Sequence, residues 1–216
     1  MLFRSQLSAF CDLKLNDLEK KFLTTSPLER LIVCNRDHSI LTVQYRMKSD
    51  MCKIVSTLFY DCLLKSDISR KHEGKLSIKW INVDGLEEYD EKFKSYYNND
   101  EINKIIKLCD FHKNNDVMIL SSYNSQLKLL NKIFDTPNIL VRTIDASQGS
   151  ESSIVIISLV RSNMNNQIGF LSDVKRMCVS LSRAKNLLYI VGNMHTFEHS
   201  NSQKWRQLIS LLNESM

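Results

Sequence analysis

What this chain lacks narrows its identity before anything it contains does. Nowhere in its 216 residues is there a G-x-x-x-x-G-K-[ST] stretch, the loop that cradles nucleotide phosphates. Only five glycines are present, so no other Gly-rich phosphate loop is hidden elsewhere. The six cysteines, at positions 11, 34, 52, 62, 109 and 178, include no C-x-x-C pair. Several fall on apolar faces, the pattern of reduced core thiols in an intracellular protein. No apolar run approaches the ~18 residues that a membrane-spanning helix needs. The opening Met1-Leu2-Phe3-Arg4-Ser5-Gln6 lacks the apolar core of a signal peptide. The expectation is an intracellular chain, cytoplasmic and/or nuclear, with no membrane partner.

What is present is an ordinary globular composition, 43% hydrophobic and 25% charged, in a chain long enough for one domain with a sizeable core. Net charge is +5. That is compatible with a polyanionic partner, although many basic proteins of this size bind no nucleic acid.

From Leu76 onward, apolar strands alternate with amphipathic helices. Leu76-Ser77-Ile78-Lys79-Trp80 alternates as a half-buried strand does, and Ile102, Ile105, Ile106 and Cys109 recur at helical spacing. Val117 to Leu120 is a short apolar run, followed by a helix carrying Leu127, Leu130 and Phe134, and then by Ile139-Leu140-Val141. Ile154 to Val160 and Leu187 to Val191 are apolar on both faces. Strands buried on both sides and separated by helices predict an α/β fold with a parallel sheet. Residues 1–70 read differently. Leu13, Leu15 and Leu18 begin one helical stretch, Pro27 opens a segment with Leu28, Leu31 and Ile32, and Met51, Ile54, Val55, Leu58 and Cys62 mark an amphipathic helix. Lys92 to Asp100 reads as a polar surface connection. The expected division is an N-terminal helical segment over 1–70 and the remainder of the α/β fold over 71–216.

In an open α/β sheet, ligands sit beyond the carboxyl ends of strands, which is where the sequence suggests a search for chemistry. Tyr45-Arg46 follows the apolar Leu41 to Val43, Gln148-Gly149-Ser150-Glu151 follows the Ile139 strand, and Arg183 precedes the Leu187 strand. A guanidinium is planar and permanently charged, so it suits phosphate at such a rim. Taken singly, each arginine more often serves as a surface or ion-pair residue.

Taken as an ordered series they say more. The series runs Gln44-Tyr45-Arg46-Met47, Leu120 to Gln126, Thr143 to Glu151, Ser158 to Asn163, Gly169-Phe170-Leu171, Arg176 to Lys185 and Val191-Gly192-Asn193. In this order and spacing it resembles the carboxyl-terminal RecA-like lobe of superfamily 1 helicases, in the up-frameshift and senataxin-like branch, over nearly the whole chain. The resemblance implies a RecA-like three-layer α/β fold with a mainly parallel sheet. It implies that Arg46 and Arg183 approach the γ-phosphate, Arg183 as the arginine finger. Tyr45 would lie near the base and sugar, with Gln148, Gly149 and Glu151 at the nucleotide and Glu151 on the ribose hydroxyls. Ser121, Thr143 and Arg161 would meet the phosphates of single-stranded RNA or DNA, contacts that position without reading sequence. Gln6-Leu7 matches the Gln-Leu that links γ-phosphate to nucleic acid, and the chain begins inside that motif.

The phosphate loop, the Mg²⁺ carboxylate and the water-activating base would then belong to a first lobe, in cis or in trans. ATP and Mg²⁺ are expected only when that lobe completes the site. Departures from the family pattern are Leu2-Phe3, Lys48-Ser49, Ser122, Ser150, Cys178 and Ser182; none removes a charged nucleotide contact. Two functions remain open at this point: one half of an ATP-driven helicase, or a non-catalytic module that binds nucleic acid or protein. His195-Thr196-Phe197-Glu198-His199 also matches the H-x-x-E-H zinc-peptidase pattern. A catalytic site needs a third ligand, and beyond it only Glu214 offers an acid, so solvated histidines and no metal are expected.

Overall fold

A computed structural model of the chain describes residues 41–214, together with positions 16, 25, 30, 31 and 34. Gln6 and the predicted segments around Leu13 to Leu18 and Pro27 to Leu28 lie outside the described residues.

The elements follow in order: β1 (Val43–Gln44), α1 (Ser49–Phe59), β2 (Lys65–Ser66), β3 (Ile78–Asn82), β4 (Glu88–Asp90), β5 (Ser95–Tyr97), α2 (Asn99–Phe111), β6 (Val117–Ser121), α3 (Asn124–Ile133), β7 (Ile139–Thr143), β8 (Ser152–Ser158), α4 (Val174–Leu181), β9 (Ala184–Gly192), α5 (Met194–Glu198) and α6 (Gln203–Glu214). Five strands form one sheet in the order β3-β9-β8-β6-β7, and every neighbouring pair is parallel. The expected α/β parallel sheet is therefore what the chain builds.

Side-chain alternation explains the layers. Along β8, Val155 and Ile157 face one core with Met51 and Leu58 of α1, Val179 of α4 and Trp205 and Leu208 of α6. Ile154 and Ile156 face a second core with Ile102 and Ile105 of α2 and Leu130 of α3. A strand flanked by two apolar layers has no polar face to offer, hence its unbroken apolar run. Helix starts are set locally. Asn98 accepts from the Glu101 amide, and Asp173 accepts from the amides of Lys175 and Arg176, satisfying donors that a first turn leaves open.

Two expectations are corrected. Lys92 to Asp100 is not a plain surface connection: Ser95–Tyr97 pairs antiparallel with Glu88–Asp90, and Asn98 is fully buried. The helix predicted to reach Cys62 ends at Phe59, and Cys62 is exposed beyond it. The reduced-thiol reading meets a mixed picture, with Cys52, Cys109 and Cys178 buried and Cys34 and Cys62 exposed.

One connection governs the rest. β7 and β8 are parallel to β6 and end level with it, Thr143 and Ser158 both opposite Ser121. The chain leaving β7 must therefore return the length of the sheet to begin β8. Residues 144–151 do so, with no helix beyond a single turn at Asp145–Ser147.

Candidate functional site

Glu151 immediately precedes β8 and Arg183 immediately precedes β9. Ser152 and Ala184 are register partners, so those two charges enter the sheet side by side. Both lie off the amino ends of their strands, not beyond the carboxyl ends where the sheet rule directed the search. The rule concerns loops that leave strands; here the charged residues are on the segments that arrive.

Gln44 shapes the third component. Its side-chain oxygen accepts from the Arg46 and Met47 amides at 2.8 and 2.7 Å, and its side-chain amide donates to the Met47 carbonyl and to Ser66 Oγ. The turn so tied buries Met47, leaves Tyr45 69% exposed, and sends Arg46 toward β8. Arg46 Nε donates to Glu151 Oε2 at 2.6 Å and its Nη1 donates to the Ser182 carbonyl at 3.1 Å. Lys185 Nζ lies 2.8 Å from Glu151 Oε1. Hydrogen bonds from Lys185 and then Arg46 hold the Glu151 carboxyl down at about 2.

Arg183 is only 2% exposed. Its Nε donates to the Val179 carbonyl, its Nη1 to the Ser150 carbonyl and its Nη2 to Ser182 Oγ, at 3.0, 3.3 and 2.9 Å. No carboxylate among the described residues forms an ion pair with it. Burial, and then the neighbouring Arg46, push its guanidinium down to about 10, still charged at neutral pH. The cleft in front has a volume of about 640 Å³, and its walls carry Arg46, Arg70, Arg183 and Lys185 against one carboxylate, Glu151. That donor set fits a phosphate-bearing anion. It does not fit Mg²⁺, since its single carboxylate is already engaged by two cations. Gln148 and Gly149 are exposed on the approach to Glu151 and do not line the cleft. Arg70 and Lys185 were not singled out from sequence. Lys185 could have been, since it lies two residues after Arg183 at the start of the same strand.

The three residues expected at nucleic acid lie at the sheet's other end. Ser121 is buried, its Oγ accepting weakly from the Tyr123 amide at 3.4 Å. Thr143 is half-buried, and its Oγ1 accepts from the Ala146 amide at 2.9 Å. Arg161 is buried, with Nε donating to Glu87 Oε2 at 2.8 Å and its guanidinium 4.2 Å from the Tyr96 ring centroid. The Ser162 amide and the Asn163 side chain donate to the same Glu87 oxygen. Of the three, Thr143 is the one partly open to solvent.

Beneath them is a network that sequence reasoning missed. Glu101 is wholly buried, accepting from Ser158 Oγ at 2.6 Å and from the Val160 amide at 2.8 Å. Gln126 Nε2 donates to Ser158 Oγ, and Asn98 Nδ2 reaches the Gly85 carbonyl. Burial raises the Glu101 carboxyl to about 8, against which its hydrogen bonds work only in part. A glutamate in a helix's first turn ordinarily reads as a surface charge favoured by the dipole, so no sequence signal marked it. His195 and His199 stack on each other with centroids 4.1 Å apart, both exposed. No set of three metal-ligating side chains is present among the described residues.

Comparison with known proteins places this chain in a family. Residues 23–195 match the family described as AAA domain. The chain is 30% identical over 92% of its length to mouse NFX1-type zinc finger-containing protein 1, and covers 11% of that protein. It is 31% identical over 81% of its length to an uncharacterized ATP-dependent helicase of Methanocaldococcus jannaschii, covering 30% of it. Human probable helicase senataxin is 31% identical over 95% of the chain, which covers 8% of that protein. The chain thus spans less than a third of the length of these relatives. With matches of this identity across most of its residues, it belongs to the superfamily 1 helicases, in the up-frameshift and senataxin-like branch.

Proposed function

We propose that this chain works as the second RecA-like lobe of an ATP-dependent helicase moving on single-stranded RNA or DNA. The nucleotide would occupy the cleft at the amino ends of β8 and β9, and nucleic acid the opposite end of the sheet. The observation that carries this reading is Arg183, a buried cation bonded only to carbonyls and a hydroxyl, in a cleft of four cations and one acid. A buried cation with no ion pair among the described residues is available to an anion that develops in front of it, with no reorganisation at the moment of reaction.

In that role Arg183 and Arg46 hold the γ-phosphate, Glu151 exchanges Arg46 for the ribose hydroxyls, and Tyr45 lies along the base. ATP supplies the phosphoryl group whose transfer is coupled to movement. The phosphate loop, the Mg²⁺ carboxylate and the base for water come from a first lobe, in cis or in trans. At the far end Thr143 contacts phosphate and positions the strand without reading its sequence.

Phosphate release provides the test, measured for this chain alone and for the chain joined to a phosphate-loop lobe, with and without single-stranded RNA. No turnover is expected alone. The completed enzyme should turn over ATP and lose roughly 10³–10⁵-fold in rate with Arg183→Ala. Turnover by the isolated chain, or a completed enzyme indifferent to Arg183→Ala, would overturn the assignment. A completed pair that stays inactive would leave the alternative of a non-catalytic binding module.

A further inference from the structure

Four aromatic rings form a line along the carboxyl end of the sheet. Tyr89 and Tyr96 face each other across the β4–β5 hairpin with centroids 5.0 Å apart. Tyr96 meets Tyr123 edge to face at 6.0 Å, and Tyr123 meets Phe170 at 6.2 Å. Arg161 stiffens the middle, its guanidinium 4.2 Å from the Tyr96 centroid and 5.9 Å from that of Tyr123. The two ends differ in surroundings. Tyr89 is exposed between Glu88 and Asp90. Phe170, 63% exposed, has the Arg176 guanidinium 5.8 Å from its ring. Arg176 in turn bonds both oxygens of Asp145, on the connection that begins at Thr143.

An exposed phenylalanine is common; one clamped in place is not. Gly169 has φ +55°, and a Cβ there would lie 2.9 Å from both Arg161 Nη1 and Tyr123 Oη. The backbone before Phe170 is thus pressed against the ladder in a conformation that glycine allows. Tyr123 Oη donates to the Ile168 carbonyl at 3.2 Å, Trp205 Nε1 donates to the Leu171 carbonyl at 2.8 Å, and Leu171 is buried. The residues on both sides of Phe170 are therefore anchored, while its ring faces water. A rigid, solvent-facing ring loses little entropy when a flat partner lands on it. Every nucleic-acid base has such a face, and the cation against this ring, Arg176, is held in place by Asp145, which a phosphate would have to share or displace.

We propose that Phe170 is a base-stacking post for single-stranded nucleic acid, with the sugar–phosphate backbone running past Arg176 and Thr143. The proposal rests on reading the carboxyl end as the nucleic-acid face. Stacking of this kind tolerates any base, so the post grips without selecting sequence. Tyr89 closes the same ladder between Glu88 and Asp90, away from Arg176 and Thr143, and serves as the internal control.

The experiment uses the full chain and a single-stranded 12-mer carrying 2-aminopurine, followed by quenching and by anisotropy at two salt concentrations. Binding should quench the probe. Phe170→Ala should abolish the quench and weaken binding about fivefold to a hundredfold, with the salt slope kept because phosphate contacts remain. Phe170→Trp should restore the quench, and Tyr89→Ala should change neither signal. Equal quenching in wild type and Phe170→Ala, with salt-dependent binding intact, would overturn the post and leave the nucleic-acid face standing. No binding by the wild type at low salt would overturn both.

Discussion

Arg161 and Arg183 are both buried guanidinium groups on one sheet, at opposite ends, and they are treated in opposite ways. Arg161 has a carboxylate, Glu87, which the Ser162 amide and the Asn163 side chain also bond, and two tyrosine rings as neighbours. Burial works against its charge, yet Glu87 and Tyr123 hold its pKa above the ordinary value. Arg183 has carbonyls and a hydroxyl, with another arginine beside it, and its pKa falls. Burying a charge is costly unless it is paired. Arg161 has its counter-ion in direct contact within the chain, whereas Arg183 is held by neutral hydrogen-bond acceptors and has no ion pair among the described residues. The contrast separates an end of the sheet whose buried cation is ion-paired from an end whose buried cation is not.

The contrast can be broken most directly by removing the compensated arginine. Arg161→Ala leaves Glu87 with its charge and without its cation, and should cost about 3–5 kcal/mol in urea-induced unfolding. A loss below about 1 kcal/mol would erase the distinction drawn here. A smaller effect comes from the neutral acid beneath. The Glu101 carboxyl titrates near 8 in the folded chain and near 4.3 when unfolded. Between those values the folded state keeps a proton that the unfolded state has lost, so stability is fully present below about 4.3 and declines as pH rises toward 8. Glu101→Gln removes that proton linkage. It should flatten the pH dependence of Tm and stabilise the protein at pH 8 by on the order of 1–3 kcal/mol; an unchanged slope would show that Glu101 is not neutral. The smallest change is expected at the other arginine. Arg183→Ala removes a desolvated, uncompensated cation along with its hydrogen bonds, so unfolding free energy should move by no more than about 1 kcal/mol. A destabilisation matching that of Arg161→Ala would make Arg183 a structural residue and dissolve the comparison.

Much of the fold was legible because β8 and β9 are apolar on both faces, and only a covered parallel sheet can use such strands. The gathering of Arg46, Glu151 and Arg183 was legible too, from the order of their motifs. The end of the sheet at which they gather was not. Motif order does not say whether a charge leaves one strand or enters the next, and the register of Ser152 with Ala184 decides it. The β4–β5 hairpin was missed because Lys92, Lys94 and Asn98 mask the tyrosines between and beside them. Ser121 and Arg161 carry the right chemistry for a phosphate contact, but burial is a property of neighbours such as Glu87 and Tyr96 that lie far off in sequence.

The return from β7 to β8 has a mechanical consequence. Ser152 to Ser158 spans roughly 20 Å along the strand, and the eight steps from Thr143 to Glu151 must cover that distance and a sideways offset. Fully extended they would reach about 26–29 Å, and successive turns, closed by the Ser147, Gln148 and Ser150 amides on the Ile144, Asp145 and Ser147 carbonyls, take up part of that reach. Thr143 stands at one end of the sheet and Glu151 at the other, so this folded strap is the short covalent path between the two ends, and its turns must open or tighten when either end is displaced.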